Sequence, residues 1–256
     1  MQSYTPEMRI VAFIDVLGFR EQTKRRLGDP ALLKALDGAL MYTDRLLFEP
    51  YDGYTPDARM FSDCICVSSP FEPDNVVKFT YTIEALQMNL ACCGVFVRGG
   101  IAIGRHFENP RMIVSEALID AYLLENEAMF PRIVASPATV TRLLDILQYA
   151  GPDHWGAGPH GLVNAPTAHF RTDRDGKPFI SYLMSLYRID RSSIVDEYIM
   201  RHRDAVEAWL FEGHASSLPA HITTKHQWAR NYHNDMMCDY FGTDKMDATE
   251  FIPESK

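Results

Sequence analysis

Residues 8–16, Met-Arg-Ile-Val-Ala-Phe-Ile-Asp-Val, are an almost unbroken apolar run with a carboxylate near its end, and Leu17-Gly18-Phe19 follow at once. A short apolar run closed by a glycine turn reads as a central strand of a sheet. Asp15 therefore stands where a charge is costly unless it is paired, hydrogen-bonded or bound to a metal. The situation recurs in Phe61-Ser62-Asp63-Cys64-Ile65-Cys66-Val67, where residues 57–69 read as a hairpin with Ser62-Asp63 at its turn. Two such carboxylates in one domain point to a shared divalent cation. Hard cations that also bind phosphate oxygens, Mg²⁺ above all, take one or two carboxylates and keep other positions for a substrate. On this pattern alone the plainer alternative stays open, in which each Asp only caps a helix or shapes a turn.

The surrounding sequence supplies the rest of a layered domain. A helical stretch runs from Gly18 to about residue 28, and Pro30 opens a second helix with Leu32, Leu33, Leu36, Leu40 and Leu47 at helical spacing. The loop that follows carries Tyr51 and Tyr54. A helix over 74–92, a glycine-punctuated strand over 95–104, a helix over 114–127, a strand over 131–135 and a helix over 137–149 complete a core spanning residues 1–150. Residues 151–256 read as an extension packed on it: loop-rich to 178, a strand over 179–190, two helices at about 191–212 and 222–240, and a polar tail expected to fray. Strands joined partly by helices and partly by a hairpin give an α+β fold with helices on one face of the sheet.

Composition removes several functions. A chain of 256 residues with 46% hydrophobic content can bury one sizeable core. A net charge of −9 and a pI near 5.4 argue against a nucleic-acid-binding surface and against a template-directed polymerase. No apolar run is long enough to span a membrane, and the N-terminus has no signal-peptide pattern, so a cytoplasmic location is expected. The five cysteines form no C-x-x-C pair and read as buried, reduced thiols. His226 and His233 share a helix face but lack the closer spacing that binds metal.

Three segments, in order, resemble class III nucleotide cyclases. Phe13-Ile14-Asp15-Val16-Leu17-Gly18-Phe19 is similar to that family's first metal motif, the Asp63 hairpin to its second, and Arg98-Gly99-Gly100-Ile101-Ala102-Ile103-Gly104 to its R-x-G-I-x-x-G strand. The Phe-Ser-Asp hairpin, Val97-Arg98-Gly99-Gly100-Ile101 and Ser115–Glu125 look more narrowly like the pyrimidine cyclases of bacterial Pycsar antiphage systems. The helix around Lys225–Asn234 resembles their C-terminal part less distinctively.

The resemblance implies a ferredoxin-like palm with a C-terminal helical extension, acting as a homodimer. It implies two Mg²⁺ or Mn²⁺ ions on Asp15, Asp63 and the Ile14 carbonyl. Gly18 and Phe19, with the amides of residues 17–19, would lie near the phosphates, and Arg98 would clamp phosphate or orient the metal carboxylates. The substrate expected is UTP, with CTP as the alternative. The cyclic product would serve as an antiphage second messenger whose effector answers to it without binding the cyclase. Such chemistry needs the ribose 3′-oxygen held in line with the α-phosphorus and the pyrophosphate charge neutralised, and metal-bridged carboxylates meet that need.

Two departures from the family stand out. The purine enzymes' Asn and Arg are missing from Ile119-Asp120-Ala121-Tyr122-Leu123, and Arg59 stands where they read adenine with Lys. Arg59, Tyr51 and Tyr54 are therefore the residues expected to meet a smaller base. A second alternative is an inactive cyclase-like domain that senses nucleotide.

Overall fold

The computed structural model describes residues 5–50, 53–148, 169–187, 193–215, 219–241 and 251–253. Strand β1 (Glu7–Val16) runs through the middle of an eight-stranded sheet, antiparallel to both neighbours. Helices α1 (Phe19–Leu27) and α2 (Pro30–Phe48) follow it, then the hairpin of β2 (Asp57–Phe61) and β3 (Cys64–Pro70). Helix α3 (Pro73–Cys92) leads to the long β4 (Val97–Asn109), which turns back into β5 (Met112–Ser115) and then α4 (Glu116–Glu127). Strand β6 (Ile133–Ala135) and α5 (Pro137–Leu147) close the N-terminal part. Then come β7 (Phe170–Thr172), β8 (Pro178–Ile180), the short α6 (Met184–Tyr187), α7 (Ser193–Ala215) and α8 (Ala220–Phe241). The strand order is β2-β3-β1-β4-β6-β8-β7, with β5 paired to β4.

Alternation along β1 explains its unbroken apolarity. Ile10, Ala12 and Ile14 point into the main core with Val76, Phe79, Ile83 and Leu86 of α3. Val11 and Phe13 point the other way, onto Ala117 and Ala121 of α4. Both faces of the central strand are thus covered, and α4 adds a helix on the face that the sequence pattern left bare. Gly100 makes this packing possible. A Cβ there would meet the Ala121 carbonyl oxygen and stand 2.6 Å from Leu124 Cβ, so α4 lies directly on the strand backbone. Ser115 starts that helix by accepting from the Leu118 amide at 2.9 Å.

Three expectations change. The helix expected from 114 is preceded by β5, because Asn109 Oδ1 accepts from the amides of Arg111 and Met112 and folds 109–112 into a turn. The strand expected over 179–190 is only β8, after which the chain turns into α6. The tail expected to fray docks at Ile252, whose amide and carbonyl both bond the Asn234 side chain at 2.9 Å. The 150/151 division falls outside the described residues. Leu210, Tyr232 and Met236 from beyond it share one core with Ile10 and Phe79, and β8 and β7 extend the same sheet. No helix among the described residues is long and apolar enough to cross a membrane.

Candidate functional site

Register builds the site. Asp15 is the penultimate residue of β1, with Cys64 opposite it on β3 and Arg98 opposite it on β4. The Val16 amide donates to the Asp63 carbonyl at 3.0 Å, which ties the hairpin turn to the end of β1. Ser62 takes a left-handed φ of 59°, which makes the two-residue turn tight enough to aim Asp63 at Asp15. Ligand atoms of Asp15, Asp63 and Cys64 all lie within 4.8 Å of one another, half-buried, and they are the one such group among the described residues. Oxygen ligands of a hard cation, each about 2.0–2.6 Å from the ion, span that separation.

The electrostatics call for more positive charge. Arg98 Nε lies 2.7 Å from Glu125 Oε1 and 3.4 Å from Asp15 Oδ2, with the Glu125 side chain only 4% exposed. Burial pushes the Asp15 carboxyl above its usual range; Arg98 opposes this and the Asp63 charge adds to it. Burial likewise raises Glu125, against Arg98 and with Asp15. The Cys64 thiol is pushed up to about 11 by burial and by Asp63, Asp15 and Glu125, which keeps it protonated. Two hard carboxylates, a neutral thiol and an excess of buried negative charge fit an oxygen-seeking cation such as Mg²⁺ or Mn²⁺.

The other expected residues divide. Gly18 has φ 68°, a conformation that suits glycine, and releases the chain into α1 at Phe19. Of the amides of residues 17–19, that of Leu17 already donates to Phe96 O at 2.9 Å, which leaves the other two for an anion. The Phe19 side chain lines an almost wholly apolar cleft of about 250 Å³ with Thr23, Leu36, Met60 and Asp63. Ile14 is fully buried. Because Val16 bonds Asp63, antiparallel alternation makes Ile14 and Ile65 the next exchanging pair, so the Ile14 carbonyl is already engaged.

Arg59 is committed elsewhere, with Nε 2.8 Å from Glu108 Oε1 and Nη2 2.6 Å from the Asn109 carbonyl. The donor expected to read a base is therefore spent on the β4–β5 turn. Tyr54 is a core residue, 7% exposed, its hydroxyl pushed up to about 12 by burial. It lies near Arg9, Asp57 and Ser69, and Ser69 pairs with Ile10 well back along β1 from Asp15. Tyr51 lies outside the described residues. Ile119 and Leu123 stand exposed on α4, at 61% and 53%.

Sequence reading missed Glu125, Cys64 and Lys225. Glu125 had a signal, an acidic residue on the helix face turned to a glycine strand. Cys64 had one too, since the residue after a turn carboxylate shares its opening. Lys225 opens the segment that resembles the cyclases' C-terminal part, but nothing in that segment points to Asp15, because only the tertiary fold brings α8 near it.

No family model matches the chain, and no curated protein matches it. Among solved structures, an adenylyl cyclase, CyaB from P. aeruginosa, is similar at 16% identity and a TM-score of 0.45, over 56% of this chain and 84% of that one. The guanylyl cyclase Cya2 is similar at 13% and 0.41, over 56% and 81%. A bacterial light-regulated adenylyl cyclase is similar at 10% and 0.41, over 80% and 59%.

Proposed function

We propose that the chain is a metal-dependent nucleotide cyclase that converts a pyrimidine nucleoside triphosphate, UTP or alternatively CTP, to its 3′,5′-cyclic monophosphate and pyrophosphate. The observation that carries this reading is the convergence of Asp15 and Asp63 at the end of β1, with Arg98 pairing the first of them. Divalent ions held there would lower the pKa of the ribose 3′-hydroxyl and neutralise the leaving pyrophosphate. Asp15 and Asp63 hold the charge in place, and Arg98 fixes the Asp15 carboxylate while keeping Glu125 from competing for the same ions. The 3′-hydroxyl loses its proton to solvent, its oxygen bonds the α-phosphorus, the α–β bridge breaks, and pyrophosphate leaves.

The pyrimidine choice rests on the motif resemblance and on the absence of a lysine at position 59. With Arg59 bound to Glu108, the reading gives no preference between uracil and cytosine. The antiphage role rests on the same resemblance. A homodimer is part of the proposal, supported by the exposed apolar stripe of Ile119, Tyr122 and Leu123 on α4.

The test is incubation with ATP, GTP, CTP and UTP separately, with Mn²⁺ or Mg²⁺, and identification of products by mass. A cyclic pyrimidine nucleotide is expected. Cyclic AMP or GMP as the main product rejects the pyrimidine half, and no cyclic product from any triphosphate rejects the enzyme. Light scattering on an active sample tests the dimer, which an active monomer contradicts.

A further inference from the structure

We infer that Lys225, brought to the site by the C-terminal helix α8, binds the triphosphate of the nucleotide beside Asp15 and Arg98. This rests on the nucleotide reading above and adds to it a residue from outside the β1–β3–β4 site.

The placement follows from aromatic packing. Phe96 lies just before β4 and accepts the Leu17 amide, so it marks the metal end of the sheet. Trp209 of α7 stacks on Phe96, with centroids 4.2 Å apart and planes at 12°. His226 of α8 packs on the other side of Trp209, with centroids 3.9 Å apart. Residue 225 is therefore anchored at the same end of the sheet as Asp15, through three contiguous rings. Asn234 clasps the tail at Ile252 further along α8.

The chemistry of the side chain agrees with a ligand role. Lys225 is half-buried and makes no ion pair or hydrogen bond among the described residues. Burial lowers its ammonium pKa, the Arg98 charge lowers it further and Asp15 raises it, so the amine lies within the field of both groups. A lysine that served only the fold would close on the nearest carboxylate. Asp15 and Glu125 are taken by Arg98 instead, and Lys225 is left as a point charge on a flexible stem. Once cations occupy Asp15 and Asp63, the groups best able to compensate Lys225 are the oxygens of a polyphosphate. Such a contact would also supply positive charge that α4 lacks at Ile119 and Leu123.

The test uses inorganic tripolyphosphate with Ca²⁺, so that binding is read by calorimetry without turnover. Wild type, Lys225→Met and Lys225→Arg are compared, methionine keeping the apolar stem. An unchanged melting temperature and retained Mn²⁺ binding confirm that fold and metal site are intact in the variants. The expected result is tripolyphosphate binding at least about tenfold weaker in Lys225→Met and within about threefold of wild type in Lys225→Arg. The same order is expected in KM for the triphosphate. Equal binding by wild type and Lys225→Met overturns the Lys225 assignment alone. Failure of the wild-type protein, with metal, to bind tripolyphosphate removes the nucleotide reading and this inference with it.

Discussion

Arg132 and Arg98 each lie between two carboxylates, and their neighbours respond in opposite ways. Arg132 is fully buried between Asp173 and Asp175, which sit in the turn joining β7 to β8, and the Trp228 indole also donates to Asp173. There, burial works against the Asp175 charge, but Arg132 and the Lys177 amide more than offset it and hold the carboxyl below its usual range. Arg98 lies between Asp15 and Glu125, and both carboxyls are pushed up. The difference is one of charge count and geometry. Arg132 spreads its donors over two carboxylates from one turn. Arg98 meets two from separate elements, Asp15 of β1 and Glu125 of α4, and Asp63 adds its charge to Asp15. The first cluster is complete as it stands. The second carries an excess of buried negative charge, which a structural ion pair has no reason to keep and a cation site does.

The sharpest way to break this contrast is by turnover. Asp15→Asn or Asp63→Asn is expected to lower the proposed cyclase activity by on the order of a thousandfold or more, because a neutral amide cannot balance a dication. Asp175→Asn is expected to keep it within about threefold. Cyclic nucleotide yield measured at equal folded concentration decides the matter, and near-normal yield from either metal-site variant dissolves the assignment.

Stability separates the clusters next. Arg132→Met leaves Asp173 and Asp175 without their shared partner and, with both carboxylates keeping some solvent, is expected to cost about 1–3 kcal/mol. Arg98→Met is expected to cost less when Mn²⁺ is present, since the ion takes over the same charge. Denaturant titrations with and without Mn²⁺ compare them. A metal-independent loss at Arg98 as large as that at Arg132 would mean that both sites are structural.

Much of this was legible in the sequence where the signal was local. The apolar run of β1, the Ser62-Asp63 turn and the glycines of β4 each carry their reason in adjacent residues. A glycine strand leaves room for a close neighbour, and Gly100 meets α4. What stayed hidden depended on partners far along the chain. Arg59 looked like a free donor until β4 curled Glu108 and Asn109 onto it. Tyr54 looked like a loop aromatic until packing took it into the core. Glu108-Asn109-Pro110 could have announced the β4–β5 turn, since Asn before Pro favours turn initiation, but strand propensity around it masked the signal. Position 225 is the extreme case: its segment carried a resemblance, yet nothing in it refers to β1 or β4.

The smallest expected effect is also the most diagnostic, because its sign differs between the clusters. With metal removed, a carboxyl whose folded pKa is raised favours the fold at low pH, and that contribution is lost as pH rises through the folded value. Asp15 behaves this way. A carboxyl whose folded pKa is lowered contributes stability above its ordinary value near 3.8 and loses it as pH falls through the folded value, as Asp175 does. At pH 7 and without metal, Asp15→Asn is therefore expected to leave stability unchanged or raise it by up to about 1 kcal/mol, the ionised form being the disfavoured one. Asp175→Asn is expected to lower stability by about 1–2 kcal/mol, a discounted figure because its side chain is 36% exposed to solvent screening. As pH is lowered from 7 toward 4, Asp15→Asn should lose its advantage over wild type, because the wild-type carboxyl protonates in the fold. The deficit of Asp175→Asn should persist through that window and shrink only below it. Excess Mn²⁺ at pH 7 should reverse the first sign, stabilising wild type over Asp15→Asn, and leave the second alone. Denaturation midpoints across pH, with chelator and with Mn²⁺, give all four comparisons. A destabilised metal-free Asp15→Asn at pH 7 would put Asp15 in the same class as Asp175, as one more paired structural carboxylate.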